Sequence, residues 1–246
     1  MRAVVWSLLP VSAFAVYTFG WAGLLTLSAA TVSCVVAEAV ACRAAGRAST
    51  LGDWSVVITG LLYGLTLPPT LPLWMTVGGG FVAVGLGKAL FGGLGYNPFN
   101  PALVGRAILQ AAFPVAMTTW YPAFAPDRFA SVPSSLLTWP FATPVYETVS
   151  GATALADWKF NGVLPDTTEL ALGFVSGSTG ETSGLLILLG GVYLVSRRAM
   201  SWQIPVAVLG TVFLLSGALH LAGPEAYPPP SFMLFSGGLM LGAVFM

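Results

Sequence analysis

Charge is the scarcest feature of this 246-residue sequence, which has nine Lys and Arg, nine Asp and Glu, and one histidine. At 7% charged residues it falls far below the roughly 25% of an ordinary soluble domain. So few charges cannot cover the surface of a water-soluble enzyme of this size. They also form no basic stripe for nucleic acid, and 56% apolar residues exclude a disordered tail. Cysteine is almost as rare. Cys34 and Cys42 lie eight residues apart on one apolar segment, roughly 12 Å along a helix, too far for a disulfide. With His220 as the single histidine, the chain alone has no ligand set for zinc, an iron–sulfur cluster or a bis-histidine haem.

What remains is an all-α polytopic membrane protein, read as one membrane domain over 1–246. Gly (29) and Pro (18) suit it, since both are commoner in membrane helices than in soluble ones. About eight transmembrane or re-entrant helices are expected: 3–19, 22–42, 52–67, 72–90, 100–116, 183–196, 203–220 and 231–246. Segment 52–67 makes only about 24 Å of helix against a hydrocarbon core of roughly 30 Å, and it runs into Pro68-Pro69. It reads either as a broken or re-entrant element lining an enclosed site or as one of a tilted helix pair with a Pro turn.

The basic residues set an orientation. With a cytoplasmic N-terminus, Arg2, Arg43, Arg47, Lys88, Arg106, Arg197 and Arg198 fall at or near cytoplasmic ends, and only Arg128 and Lys159 fall outside. Residues 117–182 then form one long extracytoplasmic loop carrying six of the nine acids. A loop of that length in a compact protein is usually functional.

Several motifs carry polar chemistry. In the loop, Glu147-Thr148-Val149-Ser150-Gly151-Ala152-Thr153 sets a threonine hydroxyl among small residues. It is either a turn before a capped helix or an approach for something bulky. Residues 91–102 (FGGLGYNPFNPA) contain Asn97-Pro98 and Asn100-Pro101. The second pair reads as an N-cap with Pro at the first helical position, and the alternative is a helix N-terminus aimed at a polar ligand. Asp53-Trp54-Ser55 opens the short third segment, where Asp53 caps or contacts a ligand. Gly180-Glu181-Thr182-Ser183 repeats the order of Gly52-Asp53-Trp54-Ser55, entering from the other side as an inverted repeat would. Glu38, near the end of the second segment, either snorkels to the interface or serves an ion path.

Taken in order, Phe19-Gly20-Trp21, Thr59-Gly60-Leu61-Leu62, the block 91–105 with Lys88, SGAT at 150–153, GSTGETSGL at 177–185 and SGGLMLGAVFM at 236–246 resemble the RnfD family of electron-transport proteins. More distantly they are similar to NqrB, a component of the Na+-translocating NADH:quinone reductase. The resemblance implies a flavoprotein subunit of a redox-driven ion translocase in the bacterial inner membrane, not catalytic alone. It implies FMN joined through its phosphate to Thr153, with Glu147, Ser150, Gly151 and Ala152 completing the motif read by a flavin transferase. It also implies a second, non-covalent flavin (riboflavin), with Glu38, Asp53, Ser55, Lys88, Asn97 and Asn100 lining its pocket or an ion path. Expected partners are an outer flavin-carrying subunit, iron–sulfur subunits and membrane lipid, with no nucleic acid. Glu147 stands where the family usually has Asp, and Ala154 where Pro is common. The family continues past position 246 by roughly two spans, so the chain reads as a fragment, a truncated product or a short variant. Two other readings stay open: a channel or transporter for a small solute, which short helices and Asn-Pro pairs suit, and a structural subunit that has lost its flavin.

Overall fold

The computed structural model describes residues 1–146, 153–181 and 183–246; Glu147, Ser150, Gly151 and Ala152 lie outside the described residues. All regular structure within them is helical. The chain runs through α1 (Arg2–Phe19), α2 (Trp21–Ala44), α3 (Ser55–Leu65), α4 (Leu73–Val84), α5 (Pro101–Ala112), α6 (Pro114–Met117), α7 (Ala154–Ala156), α8 (Thr167–Leu172), α9 (Gly184–Ser196), α10 (Gln203–Ala222), α11 (Pro230–Phe235) and α12 (Leu239–Phe245). Helices α1, α2 and α10 are long and apolar enough to cross a membrane, whereas α3, α9 and the α4 stretch extended to Ala89 are apolar but shorter. This is the architecture of a polytopic membrane protein.

Small residues explain how the helices meet. Helix α2 packs against both α3 and α4, and α1 lies against α2 and α9. Where α3 crosses α2, a Cβ on Gly60 would stand 2.6 Å from the Thr31 Cα. Gly79 and Gly80 admit the Tyr63 hydroxyl and the Ser33 Oγ in the same way, while Gly78 and Gly85 face open space. In lipid, such close approach gains van der Waals contact that large side chains would block. The core this creates includes Leu8, Val11, Leu27, Ala30, Cys34, Tyr63 and Leu65, all buried.

Three of the expected spans differ in form, the fifth because it breaks at Phe113 between α5 and α6. The third is only the 11-residue α3, and the chain then runs irregularly to Pro72 before α4 begins. The last span is two helices, α11 and α12, separated at Ser236–Gly238, where Gly237 takes a positive φ of 66°. Irregular backbone inside a membrane protein must find partners within the protein. At the end of α3 it does. The Leu65 carbonyl accepts from the Gly180 N–H at 2.7 Å. The Leu67 carbonyl accepts from the Thr179 N–H at 3.0 Å and from its hydroxyl at 2.7 Å. Helix α3 therefore ends beside the turn that starts α9, and the two helices begin from opposite ends of the molecule.

The region 117–182 lies over that second end. The Trp21 N–H donates to the Arg128 carbonyl at 3.0 Å, and the Trp21 indole to the Phe129 carbonyl at 2.9 Å. Arg128 Nε donates to the Tyr17 carbonyl at 2.9 Å, with its guanidinium over the Tyr17, Phe124 and Phe129 rings. Gly20 (φ +59°) is required at this join, because a Cβ there would fall 2.0 Å from the Arg128 carbonyl oxygen.

Candidate functional site

Polar chemistry gathers at two places. The first is the end of the bundle that holds the N-terminus of α3. Lys88 lies on a π-helical stretch, Gly85–Ala89, that continues α4. Such stretches are rare and often mark functional positions. Its Nζ donates to Glu38 Oε1 at 2.7 Å and to the Ser55 hydroxyl at 2.8 Å. The Thr50 hydroxyl donates to the same carboxylate oxygen. Both charged side chains are buried, with relative exposures of 3% and 6%. Glu38 therefore does not snorkel; it is one half of an interior ion pair. Its other oxygen, Oε2, is buried and has no hydrogen-bond partner among the described residues.

Cavities flank the pair on both sides. One of about 380 Å³ is walled by Ser55, Thr59, Lys88, Asn97 and Asn100. A smaller one of about 70 Å³ touches Glu38, Thr50 and Lys88. Of the six residues expected to share a pocket or path, the fold joins Glu38, Lys88 and Ser55 directly and sets Asn97 and Asn100 on the larger cavity wall. Asp53 instead accepts from the Ser55 N–H at 2.7 Å and closes the first turn of α3. Asn100 accepts from the Ala102 N–H at 3.0 Å, with Pro101 following, so it caps α5 while lining the cavity.

The second place is at the other end, around Thr153. The Thr153 hydroxyl accepts from the Ala156 N–H at 3.3 Å and caps the short helix α7. Thr153 forms part of the wall of a cavity of about 270 Å³ that also contains Arg106, Trp120, Glu181, Gly237 and Gly238. The break between α11 and α12 thus supplies backbone to this cavity. Arg106, from α5, is half-buried, and its guanidinium donates to the Thr66 carbonyl at 2.6 Å. Glu181 accepts from the Ser178 N–H at 3.2 Å. Sequence reasoning counted Arg106 only as a charge at a helix end. A lone cation inside an apolar span was the available signal, because such residues mostly serve a site or a pathway. Trp120 and the Gly237-Gly238 pair carried no comparable local signal.

Known proteins match this chain along its whole length. The family model described as "NQR2, RnfD, RnfE family" matches residues 1–246. The chain is 39% identical over 262 aligned residues to the D subunit of the ion-translocating oxidoreductase complex of Halorhodospira halophila, covering all of this chain and 73% of that relative. It is 39% identical to the protein of the same name from Alcanivorax borkumensis, with the same coverage of both chains. The D subunit of the proton-translocating ferredoxin:NAD(+) oxidoreductase complex of Clostridium ljungdahlii is 36% identical over all of this chain and 72% of its own length. A match along every residue of the chain, and this identity to several such subunits, establish that the chain belongs to the NQR2, RnfD, RnfE family.

Proposed function

We propose that this protein is the membrane flavoprotein subunit of an Rnf-type, ion-translocating electron-transport complex, and that it carries FMN through a phosphoester to Thr153. The names of its relatives support the coarser statement, a membrane subunit of an oxidoreductase complex that works with other subunits. The observation that carries the finer one is the Thr153 cavity. A hydroxyl at its wall, a guanidinium inside it, an indole ring and two glycines suit an anionic, planar, aromatic ligand. When bound, FMN would supply reversible one- and two-electron transfer.

The protein's own residues hold and shield that ligand. Thr153 fixes the attachment point at the start of α7. Gly237 and Gly238 allow close approach to backbone, and Leu155, Leu170, Val175 and Phe235 supply apolar wall beside Ser176 and Glu181. In this reading the loop 117–182 faces away from the cytoplasm, which the bias of seven basic residues against two supports. Iron–sulfur clusters for the same electron path would come from partner subunits, since this sequence has no ligand set for them. At the opposite end, Glu38, Ser55, Lys88, Asn97 and Asn100 surround space for a second, non-covalent flavin or an ion path.

Co-expression with a flavin transferase, followed by in-gel fluorescence and intact mass, tests the assignment. Wild type should give a fluorescent band and the added mass of one FMN, and Thr153→Ala should give neither. A band that persists in Thr153→Ala would refute the site; a wild type without one would refute the flavoprotein reading.

A further inference from the structure

Arg106 is a cation within an apolar segment, and its only hydrogen-bond partner among the described residues is a neutral carbonyl, Thr66 O. The single ion pair among the described residues is Lys88–Glu38, so no described carboxylate lies within ion-pair distance of Arg106. Glu181 stands in the same cavity, but it is engaged with the Ser178 N–H. A guanidinium has five N–H donors and stays charged at any physiological pH. Among the described residues, one carbonyl leaves most of these donors without a protein partner. Arg106 therefore brings a positive charge, with donors to spare, to a cavity that Glu181 also lines.

The carbonyl partner is informative too. Thr66 directly follows α3, where the helix dipole leaves partial negative charge on the last carbonyls. Gly180 and Thr179 hold the carbonyls of Leu65 and Leu67, and Arg106 holds the one between them. One side chain thus touches both the end of the broken helix and the cavity at Thr153.

We propose that Arg106 is a positioning residue shared between the C-terminal end of α3 and the negative charge of the ligand carried on Thr153. The inference rests on the reading of Thr153 as the flavin attachment point. Were the flavin to take up two electrons from a partner subunit and one proton from water, the negative charge gained by its ring would be stabilised by Arg106 and opposed by Glu181. That charge would share the guanidinium with the Thr66 carbonyl.

The test uses the whole complex in membranes, made with the flavin transferase and titrated with a chemical reductant and mediators. Arg106→Gln should keep the fluorescent band and lose about tenfold in preference for the reduced ligand, ~30 mV downward for a two-electron couple. Glu181→Gln should shift the potential upward, and Arg106→Lys should stay near wild type. A purely structural role would lower band intensity or thermal stability without opposite shifts in the two Gln variants. Intact bands with unmoved potentials overturn this inference and leave Thr153 standing, whereas a wild type without a band overturns both. Should Arg106→Gln fail to accumulate, Glu181→Gln decides: an unshifted potential there means that cavity charge does not reach the ligand, and the inference falls.

Discussion

Lys88 and Glu38 illustrate how an interior charge is kept. Each alone would be expelled or neutralised, but together with the Ser55 and Thr50 hydroxyls they form a cluster bonded through Glu38 Oε1, with Oε2 left without a partner among the described residues. Removing one partner leaves the other buried and uncompensated, so Lys88→Met should cost about 3–5 kcal/mol. Replacing both, in Lys88→Met with Glu38→Met, should recover most of that, because a well-packed apolar pair often equals a buried ion pair. Thermal melts of the detergent-solubilised complex check this, and a double variant as unstable as the single one would contradict it. A different outcome is expected for transport or redox coupling. If the unpartnered Glu38 Oε2 serves an ion path, the double variant should stay folded and lose ion movement in vesicles.

Helix ends were the more legible part of the sequence. Asn100-Pro101, Ser183 and Asp53 are local signals, and each does cap or close a first turn in the fold. Pro68-Pro69 marked the early end of α3 for the same reason, since two consecutive prolines remove two backbone donors and clash with the preceding turn. The partners of those ends were not legible. Nothing local in Glu38 points to Lys88, fifty residues on, and nothing in Thr66 points to Arg106, because such pairs are made by tertiary packing. The break at Ser236–Gly238 was also missed: apolar residues on both sides look continuous, and only the paired glycines hint at it. Close helix packing gives a direct test at the α2–α3 crossing. Gly60→Ala places a methyl 2.6 Å from the Thr31 backbone, which neither helix can yield by rotating a side chain. Overpacking of this kind costs about 1–3 kcal/mol. Gly78→Ala, in open space on α4, should leave the melting temperature unchanged or slightly raised. Equal effects from the two would sink the packing argument.

The molecule has two chemically different ends, and its proposed role depends on which faces outward. At one end lie Lys88 with its ion pair, and Arg47, whose guanidinium donates to the Gly92 carbonyl. At the other, the loop carrying Thr153 is clasped to the α1–α2 turn through Arg128 and Trp21. The clasp matters because it ties the loop to helices that cross the bilayer, so loop and turn must share a side. Exposed serines provide reporters on each side: Ser131 in the loop, and Ser201 just beyond Arg197 and Arg198. With Cys34 and Cys42 replaced by Ser, an impermeant maleimide should label Ser131→Cys in intact spheroplasts. It should reach Ser201→Cys only after lysis. The basis is that clustered Arg and Lys stay in the cytoplasm during insertion, while the acid-rich loop carries no comparable restraint. The reverse pattern would put Thr153 on the side of the clustered Arg and Lys, and the topology read from the charges would then have to be abandoned.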